Sequence, residues 1–472
     1  MKAYFQHFSF FGELTNSENS RLGVFVEIEY DSYDSTIISC KIACKENEAE
    51  QLRRFFDVEK GGLVASGKIS ENQSIYIDIA RWKEVKHNVA EVEVSQFTMG
   101  YSGTIPFIRG KYIVSIVLND VPAVQVDSVG EMSYLGFISR NRKQEDAISW
   151  ENELGKYSLA DYYDHEKADV ANEKATLQIK RTKIFVEKEF TQSTETEALL
   201  RSFEDEIKDR LLMLSFISRK WINWYEIDIA IFSEGEDRTV YNVTRRMKTH
   251  SKEDIFKTQL FHQKELKEGL FDKLTSEYKK SIYKEMLRRA INFLVASNQR
   301  TSIEAKIQAA YSALEAITTA CCKKLGVNEA FEKDRLDIIT DKLKNQLSQI
   351  FQEHEWSNYK LLDELTAKLF ELRRRSLASR LVDAISLSKI EVIDIWYFHG
   401  EVLFDDKIRD IISRRNKLIH SGEIVDLNQL YRDLLRIQAI SERLLLFMLD
   451  CLDMKRLFIA SYRDLHSINE LE

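Results

Sequence analysis

Residues 413–423 read SRRNKLIHSGE and hold the side chains best suited to chemistry, Arg415, Asn416 and His420. Arginine carries a fixed planar cation that matches a phosphate or another oxyanion. Histidine can take or give a proton near neutral pH. Upstream and downstream, Ile408, Ile411, Ile412, Leu418 and Ile419 recur at helical spacing, and Arg415 takes the stripe position between them. A long charged side chain aimed at an interface needs a partner, a route to solvent or a function. Asn416 and His420 are four residues apart, so the spacing predicts one helix face on which the amide can steer the imidazole. Ser421-Gly422 reads as a helix stop, with Gly422 suited to a left-handed cap. A histidine in the last turn lies at the negative end of the helix dipole, which favours its protonated form.

The spacing alone is weak. With nine histidines in the chain, roughly one or two Arg-x₄₋₆-His runs arise by chance. Two others are present: Arg245 before His250 in RRMKTH, and Arg81 before His87 in RWKEVKH. Both follow strand-like segments, whereas Arg415 closes an amphipathic helix. Arg373, Arg374 and Arg375, with Arg380, form a basic run, and Arg414 and Lys417 flank the motif. Together they could track an RNA backbone, and a solvated charged face explains them equally well. His354 and His399 lack metal-ligand spacing, and no other cluster suggests a metal. Trp221, Trp224 and Tyr225 read as core packing rather than as a stacking platform for bases.

The elements that must position these residues divide the 472-residue chain in three. Residues 1–190 are strand-rich (GVFVEIEY, STIISCKIAC, QSIYIDIARW, KYIVSIVL) and predict a β-rich N-terminal domain, sandwich or barrel-like. Residues 191–265 read as a helix and a β-hairpin, taken as a connecting module. Residues 266–472 are almost wholly helical and contain neither proline of the chain, so a helical bundle is expected. Thr301 or Ser302 can cap a helix with the stripe Ile303, Ile307, Ala310, Tyr311, Leu314, Ile317 and Cys321. Further helices are expected over 328–352, 357–377 and 379–398, then one capped by Asp405 or Asp406, and a last one over 426–457. The fold class is α+β multidomain.

Composition sets limits on function. With 44% hydrophobic and 31% charged residues the chain can build real cores, which excludes general disorder. A net charge of −8 means that any nucleic-acid binding must come from a local basic patch. No apolar run approaches bilayer length, and the N-terminus lacks the apolar core of a signal peptide. Five cysteines without a CxxC pair read as buried thiols in a reducing cytoplasm.

RNKLIH matches the R-N-x-x-x-H signature of HEPN domains (higher eukaryote and prokaryote nucleotide-binding), many of them ribonucleases. The setting FDDKIRDIISRRNKLIHSGEIVDLNQLYRDLLRI, late in a bundle, and the earlier helix AKIQAAYSALEAITTACCKKLG are also similar to that family. The chain most resembles ApeA-like anti-phage proteins, over residues 300–455; before residue 190 the likeness is one of architecture. The resemblance implies an endoribonuclease of abortive infection, a toxin held quiet until a phage-derived trigger acts. Arg415 and His420 would be the active pair and Asn416 a supporting residue, with no metal and no cofactor. Glu315, on the helix that the family packs near the motif, would be a partner for Arg415, or else a solvated helix charge. The implied partners are RNA, transfer RNA included, and a second copy in a homodimer or higher homo-oligomer whose two motifs line one cleft; no membrane is involved. Some HEPN members lack nuclease activity, so a non-catalytic RNA- or nucleotide-binding or assembly protein is the alternative.

Overall fold

The computed structural model describes residues 5–31, 38–58, 63–71, 73–107, 109–119, 121, 148–170, 173–235, 239–248, 260–261, 265–327, 333–354, 359–369, 375–392, 395–396, 404–421 and 426–451. The chain forms two compact units: residues 1–256 with 262–272, and 257–261 with 273–472.

Strands β1 (Phe5–Thr15), β2 (Arg21–Asp31), β3 (Ile38–Ala43), β4 (Leu63–Ser70), β5 (Gln73–Lys86) and β6 (Val89–Gly100) open the first unit. They pair in the order β3-β2-β1-β4-β5-β6, and β3 also pairs with β6, so the six strands close into a barrel. Alternation builds its core. Ile75, Ile77 and Ile79 of β5 point inward with Val92, Val94 and Phe97 of β6, while Tyr76 and Asp78 point out. Helix α1 (Ala49–Val58) adds Leu52, Phe55 and Phe56 to the same core. Of the two expected alternatives, sandwich or barrel, this part is a barrel.

The sheet does not stop there. Strand β6 continues into β12 (Tyr241–Met247), followed by β11 (Trp224–Ser233), β7 (Gly110–Leu118), β10 (Glu173–Phe190), β9 (Gly155–Val170) and β8 (Ile148–Asn152). Helix α2 (Thr196–Ser218) packs on this extension, with Phe203 edge-on to Tyr112 at 5.7 Å between ring centroids. The helix and hairpin of 191–265 are therefore not a separate connecting module. Strands β11 and β12 are central strands of the N-terminal sheet, and Trp224 and Tyr225 are core residues, as their composition suggested.

Two of the arginines that mimic the motif belong to this unit and are structural. Arg245 is buried and donates to Thr98 (2.9 Å), Glu204 (2.8 Å) and Glu197 (2.5 Å). Arg81 donates to Glu93 at 2.5 Å, and Lys248 reaches the other oxygen of the same carboxylate at 2.9 Å. His250 lies outside the described residues, and His87 sits in the β5–β6 turn at φ +55°.

The second unit is helical: α3 (Phe271–Lys280, which begins in the first unit), α4 (Lys284–Ala296), α5 (Ile303–Leu325), α6 (Lys333–Glu353), α7 (Tyr359–Leu369), α8 (Leu377–Ser388), α9 (Phe404–Ser421) and α10 (Leu427–Met448). The Ser302 hydroxyl caps α5 by accepting from the Ala305 amide, and Asp426 caps α10. Asp405 and Asp406 lie in the first turn of α9, where their charge favours the helix dipole, rather than at its cap. The expected α5 stripe is the buried one, from Ile307 to Cys321. The expected starts of α6 and α7 lie outside the described residues, as do residues 370–374 after α7, while α8 ends at Ser388 rather than 398 and α10 ends at Met448 rather than 457. All five cysteines are buried free thiols. No helix among the described residues is long and apolar enough to cross a membrane.

Two outcomes follow for the first unit. Lys248 and Arg81 hold the Glu93 carboxyl down at about 2. A carboxyl lowered in this way stabilises the fold above its unfolded value and loses that contribution as pH falls through its folded one. Glu93→Gln should therefore lower the melting temperature at pH 7, and the gap from wild type should close between about pH 4.5 and pH 2 in a calorimetric pH series. Leu52→Ala removes a fully buried side chain from the barrel and should cost about 3 kcal/mol in urea unfolding of this unit.

Candidate functional site

Helix α9 presents Ile408, Ile411 and Ile412 to the core of the second unit, all buried. Arg415 extends that stripe by one turn, as its spacing predicted, and is half-buried. Tyr311 of α5 accounts for how an arginine can stand there. Its hydroxyl donates to the Ile411 carbonyl at 2.7 Å, one turn before Arg415. Its ring supports the guanidinium, whose carbon lies 5.7 Å from the ring centroid, within cation–π range. Burial pushes the Tyr311 phenol well above its ordinary value, with Asp433 adding to the effect and Arg414 and Arg415 opposing it. The phenol therefore remains a hydrogen-bond donor.

Arg415 and its neighbour have different fates. Arg414 forms a two-pronged pair with Asp433 of α10, at 2.6 Å from Nε and 3.0 Å from Nη2. Asp433 also accepts from Gln429 at 2.9 Å and has Arg436 at 4.0 Å, so this buried carboxylate organises the α9–α10 junction. Arg415 has no carboxylate at ion-pair distance among the described residues. Its Nη1 donates to Asn416 Oδ1 at 3.0 Å, and its Nε is buried without an acceptor. A buried donor left without a partner costs about 1–3 kcal/mol, and such groups are where a ligand-bearing role is worth asking about.

Helix α9 continues through His420 to Ser421, so the motif's backbone is helical to its histidine. The side chains of 419–421 and all of Gly422 lie outside the described residues. Arg415 and Asn416 are brought together by a direct hydrogen bond. Glu315 is exposed on α5 and makes no pair with Arg415; the Asn416 amide and the Tyr311 ring stand where that carboxylate was expected.

The candidate backbone-tracking cations are mostly engaged. Arg414 is held by Asp433 as described. Arg375 pairs with Asp383 and donates to Ser379 at 2.8 Å. Arg380 is buried and donates to Thr319 at 2.9 Å. Lys417 is exposed, and Arg373 and Arg374 lie outside the described residues. Sequence reasoning did not single out Asp433 or Gln429. The signal for Asp433 was present, since it adjoins the α10 stripe of Leu430, Leu434 and Ile437, where an acid must find a partner.

Among the described residues no three His, Cys, Asp or Glu side chains converge as a metal site would require. No protein-family profile, no curated protein and no solved structure matches the chain. Arg415 thus has its guanidinium against the Tyr311 ring and bonded to Asn416, with its buried Nε left without an acceptor.

Removing Asp433 takes away the carboxylate that pairs with Arg414. Breaking a fully buried pair costs roughly 3–5 kcal/mol, and Arg414 keeps 25% of its side chain in solvent, which lowers the cost. Asp433→Ala should therefore destabilise the helical unit by about 2 kcal/mol in urea unfolding. Arg414→Met combined with Asp433→Leu should recover most of that loss.

Proposed function

We propose that the chain is a metal-independent endoribonuclease of HEPN type, acting in anti-phage defence by abortive infection. The observation that carries the reading is the contrast within α9: Arg414 is neutralised, whereas Arg415 keeps a supported, half-buried cation with no carboxylate among the described residues. The R-N-x-x-x-H sequence on the last turns of a helix in an all-helical unit supports the same reading. A half-buried fixed cation is well suited to stabilise charge that develops on phosphate oxygens.

In this reading the RNA 2′-oxygen attacks the adjacent phosphorus. The P–O5′ bond breaks, leaving a 2′,3′-cyclic phosphate and a 5′-hydroxyl. His420 takes the proton of the 2′-hydroxyl and returns one to the departing 5′-oxygen. Arg415 stabilises the non-bridging oxygens in the transition state, and Asn416 fixes the guanidinium through its Oδ1. A second copy completes the cleft, so one protomer supplies one motif and its partner the other. The N-terminal barrel and sheet restrain the nuclease until a phage-derived trigger is sensed.

The test is cleavage of total RNA and of transfer RNA by the purified chain in EDTA, with mapping of the fragment ends. Cleavage that leaves cyclic phosphate ends is expected. It should fall by about 10²–10³-fold in Arg415→Ala and about 10²–10⁴-fold in His420→Ala. Cleavage that both variants retain would remove the site assignment. RNA binding without cleavage in wild type, even on co-expression with challenging phage, would favour the non-catalytic alternative.

A further inference from the structure

A cleft of about 540 Å³ lies on the outer wall of the barrel, where β5, β6 and β12 run side by side. Its floor follows from strand register. Tyr76, Thr98 and Arg245 form one cross-strand row, and Asp78 and Gln96 lie in the next. These side chains face outward because their alternates, Ile75, Ile77 and Phe97, fill the barrel. The start of α2 makes the opposite wall with Glu195, Glu197 and Leu200. The volume falls within the range of about 300–1,000 Å³ usual for small-ligand sites.

The charges of the cleft do not balance. Both of its arginines are committed within the wall: Arg245 to Thr98, Glu204 and Glu197, and Arg201 to Glu197 at 3.0 Å. Those two arginines and two glutamates cancel. Asp78 and Glu195 remain, with no cation on either among the described residues. Asp78 is held in place by one oxygen, which accepts from Gln96 at 2.5 Å, and its other oxygen is free of hydrogen bonds there. The Glu195 carboxylate makes no capping bond to α2. Beside them the Tyr76 ring is 46% exposed and has no aromatic neighbour among the described residues. Val64 of β4, opposite Asp78 and half-buried, adds apolar surface on the same outward face.

We propose that this cleft binds an organic cation, a primary ammonium or guanidinium on a short alkyl chain, as in a polyamine or in the lysine or arginine side chain of a peptide. Asp78, preset by Gln96, accepts a charge-assisted hydrogen bond from the cation. The Tyr76 face attracts the same charge. The alkyl chain lies along Val64 and the edge of the Tyr76 ring, in the way long basic side chains cover apolar surface. An anionic ligand such as a nucleotide phosphate meets two uncompensated carboxylates and is disfavoured. Every residue of this site belongs to the N-terminal unit, so the inference stands apart from the nuclease reading.

Calorimetric titration of the full chain with agmatine, spermidine and an acetylated, amidated Arg-Lys dipeptide tests it, with 1-butanol as the uncharged counterpart. Saturable binding of at least one cation and none of butanol is expected. Asp78→Asn should weaken that binding by about tenfold or more, and Tyr76→Ala by about three- to tenfold. Tyr76→Phe keeps the ring and should keep the affinity, which separates the π face from any folding defect in Tyr76→Ala. Tighter binding of the free amines marks a small-molecule site, and tighter binding of the dipeptide marks recognition of a protein side chain. No saturable binding of any cation, or binding that either Asp78→Asn or Tyr76→Ala leaves unchanged, overturns the proposal.

Discussion

The first unit depends on one strand that changes partner along its length. The start of β6, Val89–Val92, pairs with β3 and closes the barrel. Its end, Gln96–Gly100, pairs with β12 and opens the extended sheet. On its other edge β5 follows it throughout, with register shifts near Ile79 and Trp82. A strand has only two edges, so barrel and sheet can share β6 only because one edge is divided between them. Bulges of this kind bend a strand and increase its twist, which lets one end curl into the barrel while the other leaves it. Arg245 consolidates the branch by bonding across to Thr98 of β6 and outward to two glutamates of α2.

In the second unit the comparable constraint is the Asp433 carboxylate. It is 1% exposed and gathers Arg414, Gln429 and Arg436 around itself. Because that acid takes Arg414, the adjacent guanidinium is left to Tyr311 and Asn416. The two arginines have the same intrinsic chemistry. Helical geometry, about 100° per residue, sends one to α10 and the other over α5.

Much of this was legible in the sequence. The alternation of β5 and β6, the stripe of α5 and the place of Arg415 on α9 are local patterns of period 2 or 3.6, and each is realised. What was not legible depends on partners distant in sequence. AEVEVSQF announces a strand, but nothing local says that this β6 will meet β12 about 150 residues later. The hairpin of β11 and β12 therefore read as a separate module. The separation of Arg414 from Arg415 was hidden for the same reason, since it rests on an acid in the following helix. Three arginines precede a histidine at similar spacing, and only tertiary packing shows that Arg245 and Arg81 are paired with glutamates.

The sheet order has a kinetic corollary. Strand β7 ends at Leu118, but its two neighbours are β10, which begins at Glu173, and β11, which begins at Trp224. During synthesis at about 5–20 residues per second, β7 therefore waits several seconds with both edges bare, and it is among the most apolar segments of the chain (IVSIVL). The six barrel strands, complete by Gly100, can close early, but the free end of β6 is not covered until Tyr241–Met247 emerges. Long-range pairing of this kind is slow and leaves strand edges open to other chains. The nascent first unit is thus a natural client for whatever holds unfinished chains at the ribosome.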